Sequence, residues 1–523
     1  MTPMDSGGGG MLPTGVAGSG GMAGAAASGG SMAAGGANGG SGGAGAVVDP
    51  VFIPGRPQVK VPNGEWPGTT INVGQKSCAE FKTGGVDLWK QGIVSPTLGD
   101  QHHNQPSIIN GYLLLAGNAE HYFWNITDPK APTMVSTFTS PDHKGEAESH
   151  QISFARRDDE IYAVTTSGKG VDIWDITDVT KPALLKSVPI AGINYGDVAG
   201  GVWGMTWQGD TIYIGANDTG LHILDATKPA ETALVKTLTV GDAGGEFPGP
   251  LWAIGNILVV TSPKGKGNVA TMDISDPLNP ILLDSFHPQT AYIGAFYGSH
   301  VYLQSPVRVW DVLTDPSTIG MADAPMDSLS TPSSEYMSFH DGFMFLGHLR
   351  PNPGASKISV SDPSNMNVVS RIWGRCDLDQ NDDQFTLAVG PLLIMADDEK
   401  KSLGNVGSVI GVHDTKPDTL PPTVMAMFPK DLATGQALTT RIGLSLSDHI
   451  EIATVTNTSF LVRPMGGQPI AGSFGMTTTT LNFDPAAALE PATTYEVVLR
   501  KDGITDLVGN AIPADIVTTF TTK

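Results

Sequence analysis

The sequence predicts an all-β chain: a seven-bladed β-propeller, then a smaller β-sandwich, with a Gly-rich N-terminal tether in front. Three observations predict it. A motif returns about every 50 residues between positions 125 and 413. Charged residues are only 16% of the chain, while Gly is 65 and Pro 38, as many short strands joined by tight turns require. After Pro421-Pro422 the repeat stops and a Thr-rich segment of different character begins.

The chain has 523 residues, too many for one ordinary domain. Lys and Arg number 30 against 52 Asp and Glu, a formal charge of −22. That balance argues against sequence-independent nucleic-acid binding, which needs a basic surface. It also disfavours docking to anionic lipid. No apolar run reaches the length of a membrane-spanning helix. The start lacks the basic-then-apolar layout of a signal peptide.

Residues 1–50 are expected to be a disordered Gly/Ala/Ser-rich tether. The first 46 hold 18 of the glycines, no Lys or Arg and no aromatic residue. Such a stretch buries too little apolar surface to offset the entropy of ordering it.

Residues 51–418 are read as the propeller. Its repeat anchors are Asn125-Ile-Thr-Asp-Pro, Asp175-Ile-Thr-Asp, Asp225-Ala-Thr-Lys-Pro and Asp273-Ile-Ser-Asp-Pro. Looser copies stand at Asp311, Ser359 and His413, so successive intervals are 50, 50, 48, 38, 48 and 54 residues. A period of this size marks a stacked or radial array. Each period opens with an apolar strand such as Ile161-Tyr-Ala-Val-Thr, then a turn, then a strand such as Val171-Asp-Ile-Trp. A third strand follows the Asp-Pro turn. Strands apolar on both faces suit a blade packed between two neighbours. The anchor Asp or Asn is expected to cap backbone amides of its own turn rather than serve as a catalytic carboxylate. Blade packing likewise accounts for Trp124, Trp174, Trp203, Trp207 and Trp310.

The phrases Val-Asp-Ile-Trp-Asp-Ile-Thr-Asp at 171–178 and Thr-Met-Asp-Ile-Ser-Asp-Pro-Leu-Asn-Pro at 271–280 resemble the LVIVD repeat of bacterial and archaeal surface β-propellers. The resemblance covers roughly residues 100–417 and implies a fold and an extracellular setting more than a reaction. Repeats five to seven depart from the pattern.

The seventh repeat ends at Pro417 with no outer strand after it. That would leave a sheet edge open. Val86-Asp-Leu-Trp-Lys-Gln-Gly-Ile-Val94 has the pattern of an outer strand. Residues 86–94 are therefore expected to pair with the strand containing residues 409–412 and close the ring.

Residues 419–523 are read as the sandwich. Phe428-Pro-Lys-Asp-Leu-Ala-Thr-Gly, Ala492-Thr-Thr-Tyr-Glu-Val-Val-Leu, Asp506-Leu-Val-Gly-Asn-Ala and a terminal Thr518-Thr-Phe-Thr resemble the SbsA-type bacterial Ig-like domain. Ser447-Asp-His is looser than that family's usual form. The prolines between 417 and 422 suggest a linker and a domain able to fold alone.

Candidate chemistry is sparse. His102 and His103 precede the first repeat and His150 the second, with His103 and His150 near the start of inner strands and the expected central channel; His340 and His348 lie in the sixth repeat. His103 and His150 with a carboxylate such as Asp100 or Glu148 are a candidate metal set. Channel hydrogen bonding competes with it, and no His-Glu-x-x-His spacing supports it. Asp377, Asp379, Asn381 and Asp383 alternate like calcium-loop ligands, but the sharp-turn Gly is missing and position 388 is Ala, not Glu. A solvated acidic loop is the alternative. Cys78 and Cys376 pair in an oxidising compartment or stay as free buried thiols. Nucleophile elbows, phosphate loops and dinucleotide fingerprints are absent from the sequence, so no cofactor other than calcium is expected.

The leading functional reading is a non-enzymatic cell-surface or secreted modular protein, binding a protein or glycan partner through propeller loops. The alternative is a propeller enzyme with a metal-assisted site at the channel mouth. The resemblances imply export, and Gly/Ala/Ser tracts of this kind often follow a lipid-anchored cysteine. Such an anchor would have to lie upstream of residue 1.

Overall fold

A computed structural model describes the chain from residue 55 onward, apart from 68–88 and shorter stretches such as 90–91, 100–101, 377–381 and 399–406. The expected tether, residues 1–50, lies outside the described residues.

Six four-stranded antiparallel units follow one another in sequence, spanning 103–139, 153–189, 204–238, 251–286, 294–329 and 334–373, the second continuous with a larger sheet and the sixth joined to the seventh through His348 and Asp383. A seventh unit contains Asp383–Val389, Leu392–Asp397 and Val409–Val412. These are the seven blades. In blade two, the inner strand Ser153–Arg157 and the next two strands are almost wholly buried. The outer strand Ala183–Pro189 is exposed or half-buried at every position but Val188. This gradient explains the unbroken apolar runs: only the rim strand meets water. Between third and outer strands the register slips by one residue at equivalent places, Phe123/Trp124, Ile173/Trp174, Ile223/Leu224, Thr271/Met272 and Lys357/Ile358. Such bulges bend the rim strand, and here they recur with the repeat.

The anchors cap their turns. Asn125 Oδ1 accepts the Thr127 amide at 2.9 Å, and Asp175 and Asp225 accept those of Thr177 and Thr227 at the same distance. Asp311 accepts both Leu313 and Thr314 amides.

The seventh blade is completed from the other end of the propeller. The Val94 amide donates to Ile410 O, Val412 to Gly92 O, and Leu98 to Ser408 O, at 2.7–2.9 Å. Ile93 pairs with Gly411 and is buried. Residues 86–88 lie outside the described residues.

The C-terminal segment forms two four-stranded sheets. One is Val424–Phe428, Ile442–Leu446, Thr480–Pro485 and Gly472–Thr477. The other is Ala433–Gln436, Ile516–Thr522, Thr494–Leu499 and Phe460–Pro464. Phe460, Phe474, Phe483, Tyr495 and Phe520 fill the space between them.

This sandwich does not hang from a linker. Its strand Gly472–Thr477 pairs with Ser153–Arg157, the inner strand of blade two, so one sheet runs through both. One apolar cluster contains Phe123, Phe154 and Trp174 of the blades together with Leu444, Phe474 and Phe483 of the sandwich. Residues 47–523 form one compact unit.

Candidate functional site: the uncapped mouth of the propeller channel

The sandwich sits on the face that carries the turn between the first two strands of every blade. Asn110-Gly111 in blade one is such a turn, with φ of 53° and 80°, the left-handed pair that Asn-Gly adopts readily. Its two amides donate to Glu451 at 3.0 and 2.9 Å. In blade two, Arg156 donates to Ile452 O and Ala453 O. Gly209 of blade three packs on Asp484. In blade four the Gly255 amide donates to Asn482 Oδ1 at 2.9 Å. Gly298 of blade five meets Met425. The Asp341 amide of blade six donates to Ser447 O at 2.8 Å, and Gly390 of blade seven packs on Val508.

The hairpin at 477–480 enters the channel from this side. Thr477 Oγ1 bonds Ser153 Oγ at 2.7 Å and Thr206 Oγ1 at 2.8 Å; Trp252 Nε1 donates to Thr478 Oγ1 at 3.1 Å. Above it a cavity of ≈ 60 Å³ remains among Trp252, Phe296, Phe339, Phe385 and His150. A stack then crosses the channel. His150 lies parallel to Trp203 at 4.1 Å and next to Tyr336 at 5.7 Å, and Tyr336 stacks on Phe385 at 3.6 Å.

On the far side of that stack the mouth gathers titratable groups. His102 Nε2 stands 2.6 Å from Asp398 Oδ1 and 3.7 Å from Glu148 Oε1. His150 Nε2 is 2.8 Å from Glu148 Oε2. They come from three places. His102 precedes the inner strand of blade one, and Glu148 and His150 lie in the connection into blade two. Asp398 follows Leu392–Asp397 in blade seven. Burial disfavours the His102 imidazolium, but Asp398 and Glu148 outweigh it and raise its pKa to about 9. Glu335 is raised to about 8 by burial and by the charges of Asp398, Asp382 and Glu148. Burial raises Asp398 as well, against the pull of His102.

One sequence expectation changes here. His103 is not part of the cluster: it is fully buried, bonds Ser408 Oγ through Nδ1 at 2.7 Å and meets Tyr122 edge-on. Strand alternation explains this, because adjacent residues point to opposite faces of a sheet. His102 takes its place. Asp398 and Glu335 were missed; both become neighbours only through ring closure, which no local pattern announces. Asp100 lies outside the described residues.

Of the calcium candidates, Asp377, Asp379 and Asn381 lie outside the described residues. Asp383 is fully buried, heads the strand Asp383–Val389, pairs with His348 and Asp397, and carries its charge near Arg371. His348 bonds Ser356 Oγ at 2.8 Å. Cys376, buried beside Trp373, is disulfide-bonded, and Cys78 is the only other cysteine in the chain. Cys78 itself lies outside the described residues.

A second His/Asp group occupies the interface with the sandwich. His340 Nδ1 is 2.9 Å from Asp448 Oδ1, with Asp341 and Asp418 close by.

Residues 418–522 match the family described as bacterial Ig-like domain. No curated protein matches the chain. Among solved structures, the chain is similar to BamB from Moraxella catarrhalis, at 11% identity over 58% of this chain and 80% of that one, with a TM-score of 0.34. It is also similar to the Neurospora crassa Pan2 WD40 domain, at 12% identity over 61% and 92%, with a TM-score of 0.42. The blade assignment rests on the strand pairing given above. No helix among the described residues is long and apolar enough to cross a membrane.

Proposed function

We propose that this is a secreted or surface-displayed modular protein whose propeller binds a protein or glycan partner on its uncapped face. One observation carries the reading. The sandwich engages a turn or inner strand of all seven blades on one face, so the opposite face and its channel mouth are left for a ligand. That face carries the longer connections between blades, such as 140–152 and 190–203, and loops on a rigid scaffold are where binding function concentrates. The acid-rich mouth and the charge of −22 favour a neutral or basic partner.

The extracellular setting draws support from the bacterial Ig-like match and from the disulfide at Cys376, which persists in oxidising compartments. The kinship of residues 100–417 with LVIVD propellers belongs to the same proposal. So does anchoring by lipid.

The test is a glycan array plus a panel of surface proteins, read with two variant sets. Lys169→Glu, Asp218→Lys and Asp242→Lys alter exposed positions on the open face; Glu490→Lys and Lys501→Glu alter exposed positions of the sandwich. A ligand lost only with the first set supports the reading. A ligand lost only with the second set contradicts it.

A further inference from the structure

We propose that the channel mouth holds a divalent cation of the zinc class, bound by His102, Asp398 and Glu148, with His150 on the second oxygen of Glu148. The inference goes beyond partner binding, since it concerns a site inside the ring rather than the loops around it.

The first observation is convergence. His102 Nε2 and one oxygen each of Glu148 and Asp398 lie within 4.8 Å of one another. Donors about 2.0–2.2 Å from a tetrahedral ion stand roughly 3.3–3.6 Å apart, so His102 and Asp398 would have to part from their 2.6 Å contact to admit one. The three donors come from the first, second and seventh blades, so they are fixed by the closed ring rather than by one flexible loop.

The second observation is independent of that spacing. His102 is nine-tenths buried, and its Nε2 faces two groups with opposite demands. Asp398 Oδ1, at 2.6 Å, is an acceptor. Asn104 Nδ2, at 3.0 Å, is a donor. The Asn104 amide is oriented by its own bonds: its oxygen accepts the Ser149 amide at 3.1 Å and its nitrogen donates to Asp398 at 3.0 Å. If Nε2 carries a proton, it and the Asn104 amide both donate to Asp398 Oδ1. If it carries a lone pair it opposes the carboxylate across 2.6 Å. A cation that displaces this proton and parts ring from carboxylate would meet an electron pair on each. Among the described residues the Nδ1 atoms of His102 and His150 have no hydrogen-bond partner, so only the contacts with Asp398 and Glu148 hold a proton on Nε2 of either ring.

The donor set selects the ion. Imidazole nitrogen with carboxylate oxygen suits zinc and its first-row neighbours, whereas calcium and magnesium prefer oxygen alone. Three or four protein donors leave a coordination position for water or for a group on a partner.

The competing occupant is a proton shared between His102 and Asp398. The two are separated by titrating zinc chloride into the full chain, stripped with chelator, by calorimetry, with cobalt(II) absorption as a second readout. One ion is expected at the mouth. His102→Gln, Asp398→Asn and the more exposed Glu148→Gln should each weaken it by about tenfold or more. His340→Gln, in the other His/Asp group, should leave it unchanged. Zinc should raise the melting temperature of the wild type and of His340→Gln, but not of Asp398→Asn, which also shows whether each variant is folded. No binding by the wild type overturns the proposal. So does affinity that survives all three mouth variants, or that disappears with His340→Gln. Partner binding that persists in chelator would leave the reading of the open face standing whatever the titration gives.

Discussion

Glu451 shows how single residues hold the sandwich in place. It is almost fully buried, accepts the amides of Asn110, Gly111 and Ala453, and lies in the field of Arg156. Removing it leaves the amides of Asn110, Gly111 and Ala453 without their acceptor and takes a buried carboxylate from the neighbourhood of Arg156. Glu451→Ala is expected to cost about 3 kcal/mol, read by chemical denaturation of the full chain. A loss under about 0.5 kcal/mol, the range of an ordinary surface change, would show that the turn amides find water instead. His222 gives a pH signature. Burial lowers its pKa to about 4, while its ring nitrogens bond Thr219 and Thr237 at 2.9 Å. The unfolded chain takes up that proton near pH 6.5 and the folded chain only near 4. Stability therefore falls as pH drops between these values. His222→Asn should lose this part of the slope, a difference on the order of 2 kcal/mol between pH 7 and 4. Parallel pH profiles for wild type and variant would remove this account of His222.

At the scale of elements, the closing segment and the channel hairpin matter most. Ile93→Ala opens a hole where the two chain ends of the ring meet and is expected to cost about 2–4 kcal/mol. Because closure joins the first and last blades, the loss should appear as a lower single melting transition. A separate early transition of the seventh blade would contradict that. Thr477→Ala removes the hydroxyl shared with Ser153 and Thr206 and is expected to cost about 1 kcal/mol. The strands of the blades were legible because each carries its own apolar run and turn residues. Anchors such as Asp175 and Asp225 were legible because their bonds reach only two residues along the chain. The docking of the sandwich was not. Gly472–Thr477 reads as an ordinary sandwich strand, and nothing in Gly-Ser-Phe-Gly-Met-Thr says that its free edge meets Phe154, Ala155 and Arg156.

At the largest scale, the described residues build a ring with two unlike faces. One is sealed by a domain whose own core continues into the blades. The other presents a mouth floored by Trp203, His150, Tyr336 and Phe385 and rimmed by His102, Glu148 and Asp398. The mouth was half legible: His150 and Glu148 stand beside an inner strand in sequence, whereas Asp398 arrives from 250 residues later through closure of the ring. The proposed partner binding and the proposed metal site both depend on this division between a sealed and an open end.

Amide hydrogen exchange of the intact chain tests that division most directly. Hairpin turn amides normally face water and exchange early. Here those of Asn110, Gly111, Gly255 and Asp341 donate to Glu451, Asn482 and Ser447 of the sandwich. They are expected to exchange as slowly as the inner strands, while the connections around the mouth at 140–142 and 190–195 exchange quickly. Fast exchange at those four turn positions, with slow strands beside them, would contradict the capped face and with it the assignment of the open one.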